Sequence, residues 1–190
     1  DIIAYDILFQ AERFKVSDLG LPKYYTIKVI AAACAKVLEV PMVFVNIDET
    51  TFDINFPEGA NFDGTESVRT VLNAIAEATQ TIYYINNNWE LVFRRLDKDG
   101  EPVHTVEKTA YIDLANVESR TLSKIAHVTE LGDNTSSIGS DDGVTQFVRN
   151  NPFWELREDI GDLLTKAQNN IGGLTIYQFD ADWFGNYLLE

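Results

Sequence analysis

Side chains able to do covalent or metal chemistry are few and widely spaced in this 190-residue chain. The one cysteine, Cys34, lies in Ile30-Ala31-Ala32-Ala33-Cys34-Ala35. A single cysteine makes no internal disulfide and no Cys-based zinc site. Its apolar neighbours disfavour a thiolate, so it reads as a small core residue rather than a nucleophile. His104 and His127 each sit in a strand-like stretch and have no ligand spacing. No His-Glu-x-x-His, no phosphate loop and no Gly-x-Ser-x-Gly occurs. Carboxylates are plentiful: Asp48 and Glu49 follow one strand-like run, and Asp180 and Asp182 follow another. A glycosidase needs two carboxyls roughly 5 to 10 Å apart, but among 30 acidic residues such neighbours arise by chance. The polar stretch Gly132 to Gly143 holds Asp133, Asn134, Asp141 and Asp142 without the EF-hand pattern, so it reads as a solvated acidic loop. Trp89, Trp154 and Trp183 are candidates for a sugar platform. Trp89 alternates with Leu91 and Phe93, which predicts core packing, and Trp154 sits in Asn151-Pro152-Phe153-Trp154, a turn that sets two aromatics beside a helix. No catalytic, cofactor-binding or metal residue is assigned, and no cofactor is implied.

Composition narrows the function classes further. Thirty acidic against 15 basic residues give a net charge of −15, which nucleic-acid or membrane phosphates would repel. No apolar run approaches the ~18 residues needed to span a bilayer, and no signal-peptide pattern opens the chain. Neither end looks like a natural terminus. The chain starts Asp1-Ile2-Ile3-Ala4-Tyr5-Asp6 without methionine and stops at Leu189-Glu190 in a strand-like run, as a piece cut from a longer protein would.

The elements that would position these residues follow from periodicity. Thr26 to Leu38 predicts a helix capped by Thr26, with Ile27, Ile30, Ala31, Cys34 and Leu38 on one face and Pro41 barring continuation. Glu66 to Ala78 predicts a second, capped by Asp63 or Thr65, with Val68, Val71, Leu72, Ile75 and Ala76 as its stripe. Leu156 to Ile171 predicts a third, with Ile160, Leu163, Leu164, Ala167 and Ile171 on one face. Glu158 and Asp159 suit its N-terminal dipole and Gly172-Gly173 ends it. Thr81 to Ile85, the Asn86-Asn87-Asn88 turn and Trp89 to Arg95 predict a hairpin, with a third strand near Pro102 to Val106. Met42 to Ile47 and Thr51 to Ile54 are short strand candidates. Leu122 to Leu131 and Val144 to Arg149 predict two antiparallel strands joined by the acidic loop, and Leu174 to Phe179 a last strand. This order favours α+β: helix-plus-hairpin units with an incomplete antiparallel β-barrel-like portion. The expected division is 1–106, a helix/hairpin unit, and 107–190, a long-strand, partial-barrel region with a C-terminal helix and strand.

Several of these parts together resemble a known family. Thr65-Glu66-Ser67-Val68-Arg69-Thr70-Val71-Leu72-Asn73-Ala74-Ile75-Ala76-Glu77-Ala78, leading through Thr81 to Ile85 into Asn88-Trp89-Glu90-Leu91-Val92-Phe93, resembles a unit of phage tail hub proteins. There, an Arg-x-Val-Leu-x-x-Ile-Ala helix leads into a hairpin. Thr26 to Leu38 with Val40 resembles the companion helix, and Val148-Arg149-Asn150-Asn151-Pro152-Phe153 a recurrent x-Asn-Pro-Phe element. Glu158 to Ile171 and Leu174 to Phe179 fit the same series of parts, and Asp1 to Asp6 would be the exit from a preceding β-barrel. These are tail-tip, tail-associated or "prophage endopeptidase tail" proteins of long-tailed phages and prophages, similar to the central hub of contractile baseplates. The resemblance implies a virion structural protein made in the bacterial host cytoplasm and placed at the tail tip. It implies a homotrimer in the full-length protein, joined to the distal tail protein, the tape measure protein and receptor-binding parts, with no nucleic acid and no membrane embedding. Family members continue into a Gly-Asp-containing barrel strand, whereas this chain ends at Glu190. The implied role is not enzymatic, any lytic activity being expected in a domain outside this piece. The competing classes are a tail-associated cell-wall hydrolase and a saccharide-binding module with coplanar exposed tryptophans.

Overall fold

The structure, a computed structural model, describes residues 7–22, 25–47, 55–56, 62–95, 111–129, 135–155 and 159–183, with side chains left aside at 55–56, 111–118 and 177–183. The strand candidates Thr51 to Ile54 and Pro102 to Val106, residues Asp48, Glu49, His104 and Glu158, and the first part of the acidic loop fall outside them. So do the side chains of Asp180, Asp182 and Trp183.

The chain is α+β. After a short helix α1 (Ile7–Gln10) and a 3-10 turn (Val16–Leu19) come β1 (Tyr25–Thr26) and α2 (Ile27–Val37). The Thr26 side chain caps α2 by accepting from the Val29 N–H at 3.3 Å, as the sequence predicts. Glu39 takes a left-handed φ of 59°, and the Val40 N–H returns to the Ala35 carbonyl at 3.0 Å, so the helix closes before Pro41. Its predicted apolar face, Ile27, Ile30, Ala31, Cys34 and Leu38, is buried.

Helix α3 (Val68–Thr79) starts two residues later than the sequence predicts, and its cap is Ser67 rather than Asp63 or Thr65. The Ser67 hydroxyl accepts from the Thr70 N–H at 3.2 Å. Asp63 and Glu66 are used one step earlier: Glu66 accepts from the N–H groups of Asp63 and Gly64, and Asp63 from Thr65. Most N-terminal helix N–H groups need outside partners. Here the segment before α2 supplies them, Phe14 O accepting from the Val68 N–H and Ala11 O from the Arg69 N–H. The N-terminal segment is thereby tied to α3. Val68, Val71, Leu72, Ile75 and Ala76 are all buried, as their spacing predicts. Gln80, at φ 52°, ends the helix, with the Thr81 N–H on Ala76 O.

The three-stranded sheet runs β2-β5-β4, from β2 (Met42–Val45), β4 (Ile82–Ile85) and β5 (Leu91–Arg94); a two-residue β3 (Asn55–Phe56) pairs with β1. The predicted hairpin is present: β4 and β5 are antiparallel with Ile85 opposite Leu91, and β2 lies parallel to β5. Trp89 departs from its expected place. Alternation extends β5 only to Leu91, so Trp89 belongs to the turn and is 64% exposed.

Strand β6 (Tyr111–Val128) is shared between two pairings. Its first part pairs antiparallel with β9 (Thr175–Trp183), from Tyr111 to Thr121. Its last part lies between β7 (Thr135–Gly139), antiparallel, and β8 (Val144–Arg149), parallel. Two sequence expectations are corrected here. Residues 135–139 of the acidic stretch form a strand, and β8 is parallel to β6 rather than antiparallel. The reason is topological. After β7 the chain crosses β6 through Ser140 to Gly143 and continues on the far side. Ser140 N–H donates to Ser123 O and the Ser123 hydroxyl to Ser140 O, at the point where the β6 register slips between Leu122 and Lys124. Lys124 anchors Asp141 at 2.7 Å. A side chain at Gly139 would place Cβ 2.1 Å from Ser123 O, and one at Gly143 would place it 2.5 Å from Thr121 O. Glycine permits this close passage. Among the described residues no sheet closes into a barrel.

Helix α4 (Ile160–Ile171) packs Leu163, Leu164 and Ala167 inward, and Gly173 returns its N–H to Leu122 O at 2.7 Å. Side chains from both halves of the chain build one core: Ile30, Cys34, Leu72, Ile75, Phe93, Ile125, Phe153 and Leu164 belong to it.

Candidate interaction surface

The residues around Asn151 connect the two helix-bearing parts. Asn150 takes φ 48°, a conformation Asn tolerates, and turns the chain after β8. Asn151 then points inward and is 1% exposed. Its side-chain N–H groups donate to Ala74 O at 3.0 Å and to Glu77 Oε2 at 2.8 Å. Its carbonyl oxygen accepts from the Phe153 N–H at 3.0 Å. One buried amide thus holds α3 and closes its own turn. Phe153 and Trp154 follow it into the core, as the turn predicts, with Phe153 meeting Phe62 edge-on at 5.5 Å.

Glu77 faces this turn from α3. Burial pushes its carboxyl above the ordinary range, and hydrogen bonds from Asn151 and the Arg149 backbone N–H partly offset that. Outside the turn lies an open cleft of about 510 Å³, lined by Glu66, Thr70, Asn73, Glu77, Arg149 and Glu155 among others. Two of its three carboxylates already accept from the chain's own N–H groups, Glu66 from Asp63 and Gly64 and Glu77 from Asn151. They hold the fold rather than face each other across a substrate.

The other candidates separate. Cys34 is buried and its thiol is pushed up to about 12 by burial, far from a thiolate at neutral pH. His127 is 3% exposed, its ring 5.9 Å from that of Trp154, and burial holds its pKa below the ordinary value while the Glu155 carboxylate acts against that shift. Trp154 is buried and Trp89 exposed, so those two rings form no common platform. Among the described residues, no group of three or more His, Cys, Asp and Glu is placed to hold a metal ion, and no helix is long and apolar enough to cross a membrane.

The His127 shift has a measurable sign. The unfolded chain takes up a proton near pH 6.5, while the folded chain resists it to lower pH. Stability from this group is complete above about pH 6.5 and falls as pH drops towards the folded value. Glu77, with its raised pKa, works in the opposite direction. Denaturant melts at pH 7.5 and pH 5 should therefore show wild type losing more stability on acidification than His127→Phe. Equal losses in the two proteins contradict this placement of His127.

No protein-family model matches the chain, and no curated protein matches it. Two tail proteins are among the solved structures similar to it. One is the 43 kDa tail protein of prophage MuSo2 from Shewanella oneidensis, at 15% identity and a TM-score of 0.43, covering 83% of this chain and 49% of that one. The other is a tail protein from Neisseria meningitidis MC58, at 12% identity and a TM-score of 0.38, covering 82% of this chain and 47% of that one. The chain spans about half the length of each. Both of these structures are tail proteins, the first of them from a prophage.

Proposed function

We propose that this chain is a structural module of a phage or prophage tail, a hub piece at the tail tip that joins the tail tube to distal and receptor-binding parts. One observation carries the reading: the separate motifs that resemble tail hub proteins converge in space. The Asn-Pro-Phe element is bonded through Asn151 to Ala74 and Glu77, both within the Arg-x-Val-Leu-x-x-Ile-Ala helix. In this reading 1–106 is the helix/hairpin unit and 107–190 the long-strand unit. The full-length protein is a homotrimer that meets the distal tail protein and the tape measure protein. The role is assembly rather than catalysis, and the −15 charge suits a basic partner.

The test is co-purification. The tagged chain, mixed with the distal tail protein and the tape measure protein of the same phage, should retain at least one of them through gel filtration. The same preparation, added to purified cell walls, should leave their turbidity unchanged. Wall clearance that a single Asp or Glu substitution abolishes, with the fold intact, would establish the hydrolase instead.

A further inference from the structure

Three buried polar atoms, on β6 and on the turn after β8, have no hydrogen-bond partner among the described residues: His127 Nε2, Trp154 Nε1 and Glu155 Oε1. Buried polar atoms are nearly always paired, so three orphans in one neighbourhood call for a physical reason. His127 and Trp154 are both buried, with their ring centroids 5.9 Å apart. Burial opposes a charge on His127, and the Glu155 carboxylate favours one. Opposite His127 in the sheet stand Ser136 of β7 and Val148 of β8, which carry no charge. Helix α4 turns Leu163, Leu164 and Ala167 inward, also uncharged. Glu77, the other carboxyl near this turn, is held by the Asn151 amide.

This arrangement suits a neutral imidazole. An imidazole nitrogen becomes a donor once protonated, and an ionised carboxylate only accepts. A proton on Nε2 therefore creates a buried donor without an acceptor, while Glu155 Oε1 is a buried acceptor without a donor. The turn lets the two meet without coming apart. Trp154 and Glu155 both donate backbone N–H groups to Asn151 O, at 2.9 and 3.1 Å, and the Asn151 amide is bonded to α3. Their side chains can turn while that anchor holds. Glu155 also lines the open cleft beside Glu66 and Glu77. Those two accept from N–H groups of the chain, and Glu155 is the one whose buried oxygen is unpaired.

We propose that His127, Trp154 and Glu155 form a proton-operated switch, in which an imidazolium at His127 takes the Glu155 carboxylate as its hydrogen-bond partner. The proton comes from solvent and binds Nε2, and no other covalent bond forms or breaks. Glu155 leaves the cleft wall to reach His127, and the Trp154 ring shifts with it. Above about pH 6.5 the imidazole is neutral and Glu155 keeps its charge at the cleft. On acidification that charge is paired, and the cleft becomes less acidic. This inference does not rest on the tail reading, and either can fail alone.

NMR of the full chain, with labelled histidine and tryptophan, reads the switch between pH 8 and pH 5. Spectra of His104→Gln and Trp154→Phe assign the two signals. The His127 imidazole should titrate below its ordinary value, and the Trp154 indole N–H should move with the same midpoint while those of Trp89 and Trp183 stay. Glu155→Gln, at a half-buried position, removes the carboxylate that favours the imidazolium. Its His127 midpoint should fall by about one pH unit, carrying the Trp154 change down with it. His127→Phe keeps a ring with nothing to titrate, so its Trp154 signal should stay fixed. A His127 midpoint that Glu155→Gln leaves unchanged overturns the proposal. So does a Trp154 signal that stays still while His127 titrates, or one that still moves in His127→Phe. A simultaneous change of all three indoles would mean that acid unfolds the chain and operates no switch.

Discussion

Replacing Asn151 by alanine lowers the stability of this chain by about 3 kcal/mol, because three hydrogen bonds go, two of them buried and one part-buried, and their partners stay behind. A neutral hydrogen bond contributes about 1 kcal/mol and one to a charged group about 1.5 to 3. The buried Phe153 N–H then loses a partner that water does not easily replace, and Glu77, at the wall of the open cleft, loses a bond to its charged group. For a chain of this length the melting temperature should drop by roughly 6 to 12 °C. Asn151→Asp separates geometry from charge. It has the same shape, but it sets a second carboxylate against Glu77, so it should be worse than alanine at neutral pH and recover on acidification. Glu77→Gln in that background should restore part of the loss. A melting temperature within 2 °C of wild type for Asn151→Ala contradicts the joint.

Gly139→Ala is the second large effect. Its cost has two parts. The φ of 108° is one that side-chain-bearing residues rarely adopt, and the new Cβ would lie 2.1 Å from the backbone oxygen of Ser123. The first part alone costs on the order of 1 to 3 kcal/mol. The second forces β6 or the crossing turn to move, so the total should reach about 3 kcal/mol or more. Gly20→Ala is the control, since its φ of 60° is also positive but nothing lies within 4 Å of the added carbon. It should cost only about 1 to 2 kcal/mol. Equal melting temperatures for the two variants would mean that the chain does not cross β6 at Ser123.

Elements set by local periodicity were readable in the sequence. The faces of α2 and α3, the Thr26 cap, the hairpin and the inward turn of Phe153 and Trp154 all follow from residue spacing or turn chemistry. What escaped was set by distant partners. Ser67 caps α3 instead of Asp63 or Thr65 because Glu66 and Asp63 are drawn into the preceding turn. A Ser-x-x-Thr spacing at Ser67 and Thr70 was the available signal. Strand β8 is parallel to β6 because two glycines let four residues cross a strand, and no local pattern encodes which side of a strand the chain lands on. Trp89 was expected inside by alternation, but the Asn86 side chain ends the strand pattern one residue after it. The site was legible only in pieces. Asn151 and Glu77 both lie in motifs that resemble tail hub proteins, yet their contact spans 74 residues of sequence.

The proposed place of this chain at a phage tail tip can be checked with gold-labelled antibody against the chain, imaged by electron microscopy on intact particles of the phage that encodes it. Label is expected at one end of the tail, the end distal to the head, and on no other part of the particle. Particles that carry no label, while the protein remains in the lysate free of tails, would contradict it.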